Sequence, residues 1–549
     1  MKLVSVKILN NDGFRSLNPN ENYTFGVSSL QPGQLTTKIF AGINGSGKSN
    51  FLELLSEIFY FLEIYHLPGT PEEEKAHKGI GFEIEYLISL PVDFLEGHYK
   101  AAAADKYIQV RIAKPMGEKP EFSIKRLEDD EYTIRVDNDT ARLLPARIIA
   151  YTSGQNELLS NAYHKLKYHY FQNYQQNKAA DHETDRHRMI FLDTCINSSV
   201  FIANILLAES NKLNYLLKIL GIKNLHSFRI TINLTDESNK PIEYPGYILN
   251  HIENLKQCAT TWVERTIRKR KFYIIDYWIN DATKDAFRYY FKTSFELFKV
   301  FYDLETFNLS LQNKKERERI LKVSNTFNFA DDLPKNNPFR LPFRIENIQV
   351  QKTIEGKPSK KITYKALSDG EHQFNEVIGT VLMMEENNCL FLMDEPDTHF
   401  NPKWRAKMIQ MLNYVSALEI NAANKVTKVR DQEIIITTHS PFVVSDTRKE
   451  DVYVFEKGEN GTHYHNPEIE TYGASINLIL QEVFRRDITI SGYSHTKLEE
   501  LREAFKNITD KRHIKNLILD TQIELFQFGE SIEKFDLYNY LSIKEDEIE

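Results

Sequence analysis

TTKIFAGINGSGKSNFLELL, residues 36–55, is the stretch whose reading decides the fold. Its first six residues read as a buried strand, and residues 42–49 fit G-x-x-x-x-G-K-S. Phe51, Leu52, Leu54, Leu55, Ile58 and Phe59 then recur at helical spacing from Lys48 onward. Strand, glycine-rich turn and helix in that order form a cradle for phosphate. The turn lets backbone N–H groups of Asn44, Gly45, Ser46 and Gly47 face an anion, and the helix N-terminus adds its dipole. Lys48 reaches the outer phosphates, the Ser49 hydroxyl suits magnesium, and Asn50 follows in the first helical turn.

A second stretch, CLFLMDEP at 389–396, is an apolar strand ending in adjacent carboxylates. Such a strand belongs in the middle of a parallel sheet, with Asp394 and Glu395 at the C-terminal edge where α/β folds bind ligands. Beside a phosphate loop, Asp394 is expected to hold magnesium and Glu395 to take a proton from an attacking water. A third, LSDGEHQ at 367–373, opens a helix with Ser368, Asp369, Gly370 and Glu371. Its glycine permits close backbone approach and its helix N-terminus favours an anion.

LSDGE resembles the ABC signature, and the three motifs together resemble an ABC-type ATPase of the SMC-like kind. The resemblance implies an α/β fold: a P-loop head of a mixed β lobe and a parallel RecA-like sheet, with a helical insertion and a helical C-terminal region. It implies ATP and Mg2+ as cofactors, and a head-to-head dimer in which Ser368, Asp369, Gly370 and Glu371 complete the partner's site. Gln155, after the strand ARIIAYT, resembles the Q-loop glutamine that senses magnesium and the attacking water. His439, ending EIIITTH, resembles the switch histidine. DTHFNP at 397–402 resembles the D-loop, with Asn401 where transporters usually show Asp. Arg15 in DGFRSL stands where SMC-like ATPases often place an arginine near the nucleotide.

The rest of the chain divides around these motifs. Residues 1–155 read as β-rich and carry the phosphate loop and Gln155; residues 156–335 read as a helical insertion, with HIENLKQCATTWVERTIRKRK as one of its long helices. Residues 336–460 read as the second part of the head, and residues 461–549 as a helical region suited to binding a partner. No sustained heptad supports a coiled-coil arm, and no apolar run approaches the ~20 residues of a membrane span, which weighs against an integral transporter. The 549 residues carry a net charge of −8, so nucleic-acid contact must be local or come through a partner. Three dispersed cysteines, Cys195, Cys258 and Cys389, suggest neither disulfides nor a zinc hook, and a reducing cytoplasm fits them. His182, His187, His463 and His465 read as loop histidines, so no nuclease site is assigned here. The basic runs 265–271 and 314–319 read as exposed helix faces able to touch phosphate.

Within the superfamily the chain is most similar to the PtuA-type AAA ATPases of bacterial antiphage defence, found in Septu and retron-associated systems. That resemblance implies control of a partner HNH-type nuclease and a nucleic-acid target reached through the complex. In retron versions it adds a reverse transcriptase with its DNA product. The alternatives are an SMC-like DNA-repair ATPase and an overcoming-lysogenization-type nuclease. The latter needs a carboxylate set for two metals after His439, where helical patterns stand instead.

Overall fold

The computed structural model describes residues 1–26, 35–68, 80–90, 94, 107–132, 134–154, 157–176, 187–236, 238–323, 340–353, 358–421, 425–459, 461–486, 489–506, 508 and 510–547. At its centre is a seven-stranded sheet. Its order is Gly461–His465, Val452–Gly458, Thr36–Ala41, Gln432–Thr438, Cys389–Asp394, Arg147–Thr152, Met189–Phe191. Every pairing is parallel except the edge hairpin of the first two strands. Strands 389–394 and 432–438 are buried at every position, as expected for parallel strands covered on both faces. Helix Lys48–His66 buries Phe51, Leu52, Leu54, Leu55 and Ile58 and packs on helix Glu157–Gln176, where Tyr170 Oη donates to Glu63. The mixed α/β architecture, with a parallel central sheet, is consistent with the fold class expected from the sequence.

A six-stranded antiparallel sheet leans on this one, in the order Asn22–Thr24, Lys2–Ile8, Phe82–Ser89, Tyr107–Lys114, Glu121–Lys125, Ile134–Arg135. A register shift between Leu3 and Ser5 leaves Val4 without a partner on strand 82–89. Leu3 N–H donates to Glu433 Oε2 at 2.7 Å, and Lys38 Nζ donates to Leu3 O at 3.0 Å and to Glu433 Oε1. Both side chains are fully buried. This pair, on neighbouring strands of the parallel sheet, fastens one sheet to the other.

The insertion departs from the helical expectation. It contains helices Asn197–Leu207, Ser210–Leu220, Gly246–Gln257, Asp281–Tyr290 and Ser294–Thr306, but also a five-stranded antiparallel sheet. The sheet order is Thr261–Ile267, Arg270–Trp278, Ile222–Asn233, Phe343–Lys352, Lys360–Thr363. HIENLKQCATTWVERTIRKRK is therefore a helix followed by a hairpin. β-branched Thr261, Val263, Thr266 and Ile267 suit a pleated edge better than a helix. Strand 343–352, expected in the head, pairs with 222–233 of the insertion instead, and 360–363 pairs with 343–352 at the sheet edge.

The helix opened by LSDGE runs Asp369–Phe374, passes through a π segment at Asn375–Gly379 and continues as Thr380–Met383. Such segments shift the hydrogen-bond ladder and recur at functional sites. Asn197 Nδ2 donates to His372 O and to Glu376 Oε1, and Asn204 Nδ2 donates to Gly379 O at 2.7 Å. Helix 197–207 of the insertion is thereby stitched to the signature helix. The C-terminal region begins with the edge strand 461–465 of the central sheet, not with a helix. Helices Gly492–Glu503, Lys511–Leu525 and Ile532–Asp546 then close around a small core of their own, including Leu498, Ile518, Leu525, Leu537 and Leu541.

Lys38→Met removes the ion-pair partner of the buried Glu433 carboxyl between the sheets. We expect a loss of about 3–5 kcal/mol in chemical denaturation, most of it recovered in Lys38→Met/Glu433→Gln.

Candidate nucleotide site

The loop between strand 36–41 and helix 48–66 requires its glycines. Gly42 has φ +141° and Gly47 has φ +99°; a Cβ on Gly42 would lie 2.4 Å from Phe455 O, and one on Gly47 2.4 Å from Thr462 Oγ1. Gly45, at φ +79°, faces open space. Lys48 is buried at the floor of the loop. Its Nζ donates to Gly42 O at 2.9 Å and Ile43 O at 3.0 Å and stands 3.2 Å from His439 Nε2. Burial draws its pKa down to about 8, opposed by the Glu395 and Asp394 carboxylates. Ser46 Oγ is buried with no hydrogen-bond partner among the described residues. An oriented lysine, a buried hydroxyl of that kind and an open loop apex fit a triphosphate.

The acidic side of the site comes from the neighbouring strands. Ser49 Oγ donates to Asp394 Oδ1 at 2.7 Å, Thr437 Oγ1 donates to the same oxygen at 2.6 Å, and Thr152 Oγ1 donates to Oδ2 at 3.4 Å. The hydroxyl and carboxylate of Ser49 and Asp394 form a hard-oxygen pair of the kind Mg2+ takes. Glu395 follows at φ +51°, an unusual conformation for a non-glycine residue, held by its N–H donating to Thr437 O at 3.1 Å. Burial raises the Glu395 pKa to about 7; Lys48 opposes that rise, and the Asp397 and Asp394 charges add to it. His439 Nε2 lies 3.1 Å from Glu395 Oε1. Burial, reinforced by Lys48 and opposed by Asp394, lowers the His439 pKa to about 4, which favours the uncharged imidazole.

Asp394, Glu395, His439, Lys48 and Ser49 thus meet at one edge of the sheet. Gln155 lies outside the described residues. The strand before it ends against the acidic strand, where Ser153 N–H donates to Asp394 O at 3.1 Å. Arg15 turns to the phosphate-loop helix: its guanidinium pairs with Glu53, with Nε donating at 3.1 and 3.2 Å. The Asn50 amide donates to Ser16 Oγ at 2.8 Å, so it also holds the N-terminal turn.

The signature residues sit on a different surface. Ser368 and Glu371 form a reciprocal capping box, and Glu371 is also paired with Lys352. Ser368 and Asp369 are exposed. Gly370 is pressed against the segment after the acidic pair, since a Cβ there would stand 2.6 Å from His399 O. Gln373 accepts from His399 N–H at 2.8 Å and donates to Tyr151 Oη at 3.0 Å, joining the signature helix, the DTHFNP segment and the strand leading to Gln155. Asn401 caps helix Pro402–Arg405 through Trp404 N–H, a role asparagine fills as well as aspartate.

Sequence reasoning missed Thr437, Thr152 and Gln373, whose only signal was their place at strand ends or one turn into a helix. His187 pairs in the interior with Asp303 at 2.9 Å, while His463 and His465 both approach Glu456 on the edge hairpin. His182 lies outside the described residues.

Comparison with known proteins agrees with this geometry. Residues 260–445 match the family described as "AAA domain, putative AbiEii toxin, Type IV TA system". The chain carries an AAA/ABC-like P-loop ATPase domain. Over 106 residues it is 30% identical to "Protein ea59" of Escherichia phage lambda, an alignment that covers 19% of this chain and 18% of that protein. The family match supports nucleotide binding and hydrolysis, and no helix among the described residues is long and apolar enough to cross a membrane.

The raised pKa of Glu395 has a signed consequence in the nucleotide-free protein. Its folded value lies above its unfolded one, so its contribution is most favourable below about pH 4.5 and is lost as pH rises through about 7. Glu395→Gln should therefore raise the thermal midpoint at pH 8 and leave it nearly unchanged at pH 5, as read by calorimetry.

Proposed function

We propose that this protein is an ATP-driven switch that closes head to head with a second copy of itself. The observation that carries this reading is the outward placement of the signature turn. Ser368 and Asp369 are solvent-exposed at the start of a capped helix, and the partners of that turn among the described residues are Glu371, Lys352 and His399, not its own phosphate loop. A helix N-terminus directed outward beside a glycine suits the γ-phosphate held by another copy.

In this reading Asn44, Gly45, Ser46, Gly47 and Lys48 hold the phosphates, with Ser49, Asp394 and Gln155 at the metal. Bound Mg2+ supplies charge neutralisation at the phosphate oxygens. Glu395 orients water and accepts its proton. A carboxylate titrating near neutrality is a competent base, and the neutral His439 beside it can position the same water without competing for the proton. ATP closes the pair and hydrolysis releases it, giving a two-state lever to whatever touches the insertion or the C-terminal helices.

The wider assignment is an antiphage defence complex working in the cytoplasm, with an HNH-type nuclease as partner and, in a retron setting, a reverse transcriptase and its DNA product. It rests on the PtuA-type resemblance of the motifs. An exposed apolar row on the C-terminal helices, Leu519, Ile523 and Phe526 with Phe535 nearby in sequence, is the kind of surface such a partner would cover.

Lys48→Ala should abolish ATP binding in titration calorimetry. Glu395→Gln should accumulate an ATP-bound dimer by light scattering with saturating ATP and Mg2+. Ser368→Arg should keep ATP affinity within a few-fold of the parent while preventing that dimer. A Glu395→Gln protein that stays monomeric would defeat the head-to-head reading.

A further inference from the structure

The basic run at 265–271 is the tip of a β-hairpin at the edge of the insertion's sheet. Strands 261–267 and 270–278 pair from Thr261↔Asp276 to Ile267↔Arg270, leaving Arg268 and Lys269 as the two-residue turn. Every position of the outer strand 261–267 is exposed. The two acids of the hairpin are already engaged: Glu264 with Lys271 at 3.9 Å, and Asp276 with Arg229 through two bonds of 2.7 and 2.9 Å. Arg265, Arg268, Lys269 and Arg270 have no acidic partner among the described residues. Four free cations thus crowd one end of a ribbon in a chain whose net charge is −8.

Charged residues on an edge strand have a bland explanation, since they discourage pairing with another sheet. The turn argues for more. Arg268 and Lys269 both have positive φ, 49° and 68°, as a two-residue hairpin turn of this kind requires. Asn-Gly takes up that conformation most readily, whereas side chains such as Arg and Lys enter it against steric resistance. The hairpin keeps cations where its own stability favours neutral residues, and edge protection does not require them there.

We propose that this hairpin binds double-helical DNA, with its exposed outer strand and turn set against the duplex and Arg265, Arg268, Lys269 and Arg270 engaging phosphates. From Lys271 onward the inner strand is held by residues 227–235, so the turn and the outer strand are the parts open to a duplex. Exposed Val263 and Ile267 alternate with Arg265 on the outer strand, so the same face offers apolar contacts to base edges. The inference goes beyond the ATP switch and does not require head-to-head closure.

The test is Arg268→Asn/Lys269→Gly in the full-length protein, which removes both tip charges while giving the turn its preferred sequence. Binding of a 30-base-pair DNA duplex is followed by fluorescence anisotropy across a salt series, with and without ATP and Mg2+. We expect the double variant to bind about tenfold or more weakly, with the slope of log affinity against log salt reduced by about two. Its thermal midpoint should be unchanged or higher. Lys315→Ala/Arg319→Ala, on the exposed helix Lys314–Val323, should change affinity less than twofold. A tip variant that binds duplex as the parent does would overturn the proposal. So would a parent protein that fails to bind duplex at 50 mM salt in either nucleotide condition, leaving an acidic protein surface as the hairpin's ligand.

Discussion

Parallel pairing of strand 36–41 with 432–438, and of 432–438 with 389–394, is the constraint on which the rest depends. A parallel sheet aligns the C-terminal ends of its strands, so residues nearly four hundred positions apart arrive at one edge. The strand ending at His439 lies between the phosphate-loop strand and the acidic strand, which is why His439 approaches both Lys48 and Glu395. The buried Lys38 and Glu433 pair sits on two of these neighbouring strands and also bonds the backbone of Leu3. The same contact thus joins the parallel sheet to the antiparallel lobe. Two buried charges are costly unless well bonded, and here the Leu3 N–H and carbonyl supply further partners.

The signature turn is tied from three directions. Gln373 joins it to His399 and Tyr151, Lys352 of the insertion's sheet pairs with Glu371, Asn197 bonds the His372 carbonyl and the Glu376 carboxyl, and Asn204 bonds the Gly379 carbonyl. Burial raises the Glu376 pKa to about 7, opposed by the Asn197 amide, so this joint holds a carboxyl group near its titration point. The signature helix therefore has little freedom to move apart from the insertion. A change at either is felt by the other through hydrogen bonds in a low-dielectric interior, where breaking one leaves a buried polar group unsatisfied.

Much of the nucleotide site was legible because its chemistry is local. Glycines 42, 45 and 47, Lys48 and Ser49 are contiguous, and Asp394 and Glu395 end an unbroken apolar strand. What was hidden depended on distant pairing or on a missing turn signal. Residues 261–271, the first strand and turn of the hairpin, read as helix because Arg268 and Lys269 occupy a turn that asparagine and glycine usually mark. Strand 343–352 joins a strand more than a hundred residues earlier, bringing 360–363 with it, and nothing in its own sequence names that partner. The hydroxyls of Thr437 and Thr152 matter only because the parallel register sets them beside Asp394. Arg15 is singled out by its position relative to a motif, and in the structure its guanidinium pairs with Glu53, a contact that position alone did not indicate.

The central claim is that Ser368 and Asp369 of one protomer face the phosphate loop of another, and proximity tests it most directly. In a Cys195→Ser/Glu395→Gln background, a chain carrying Asn44→Cys is mixed with a differently tagged chain carrying Asp369→Cys, and mild oxidation follows with or without ATP and Mg2+. The account predicts a covalent heterodimer that forms only when nucleotide and metal are both present. Absence of that heterodimer in a mixture shown to bind ATP, or its formation equally well without nucleotide, would contradict it.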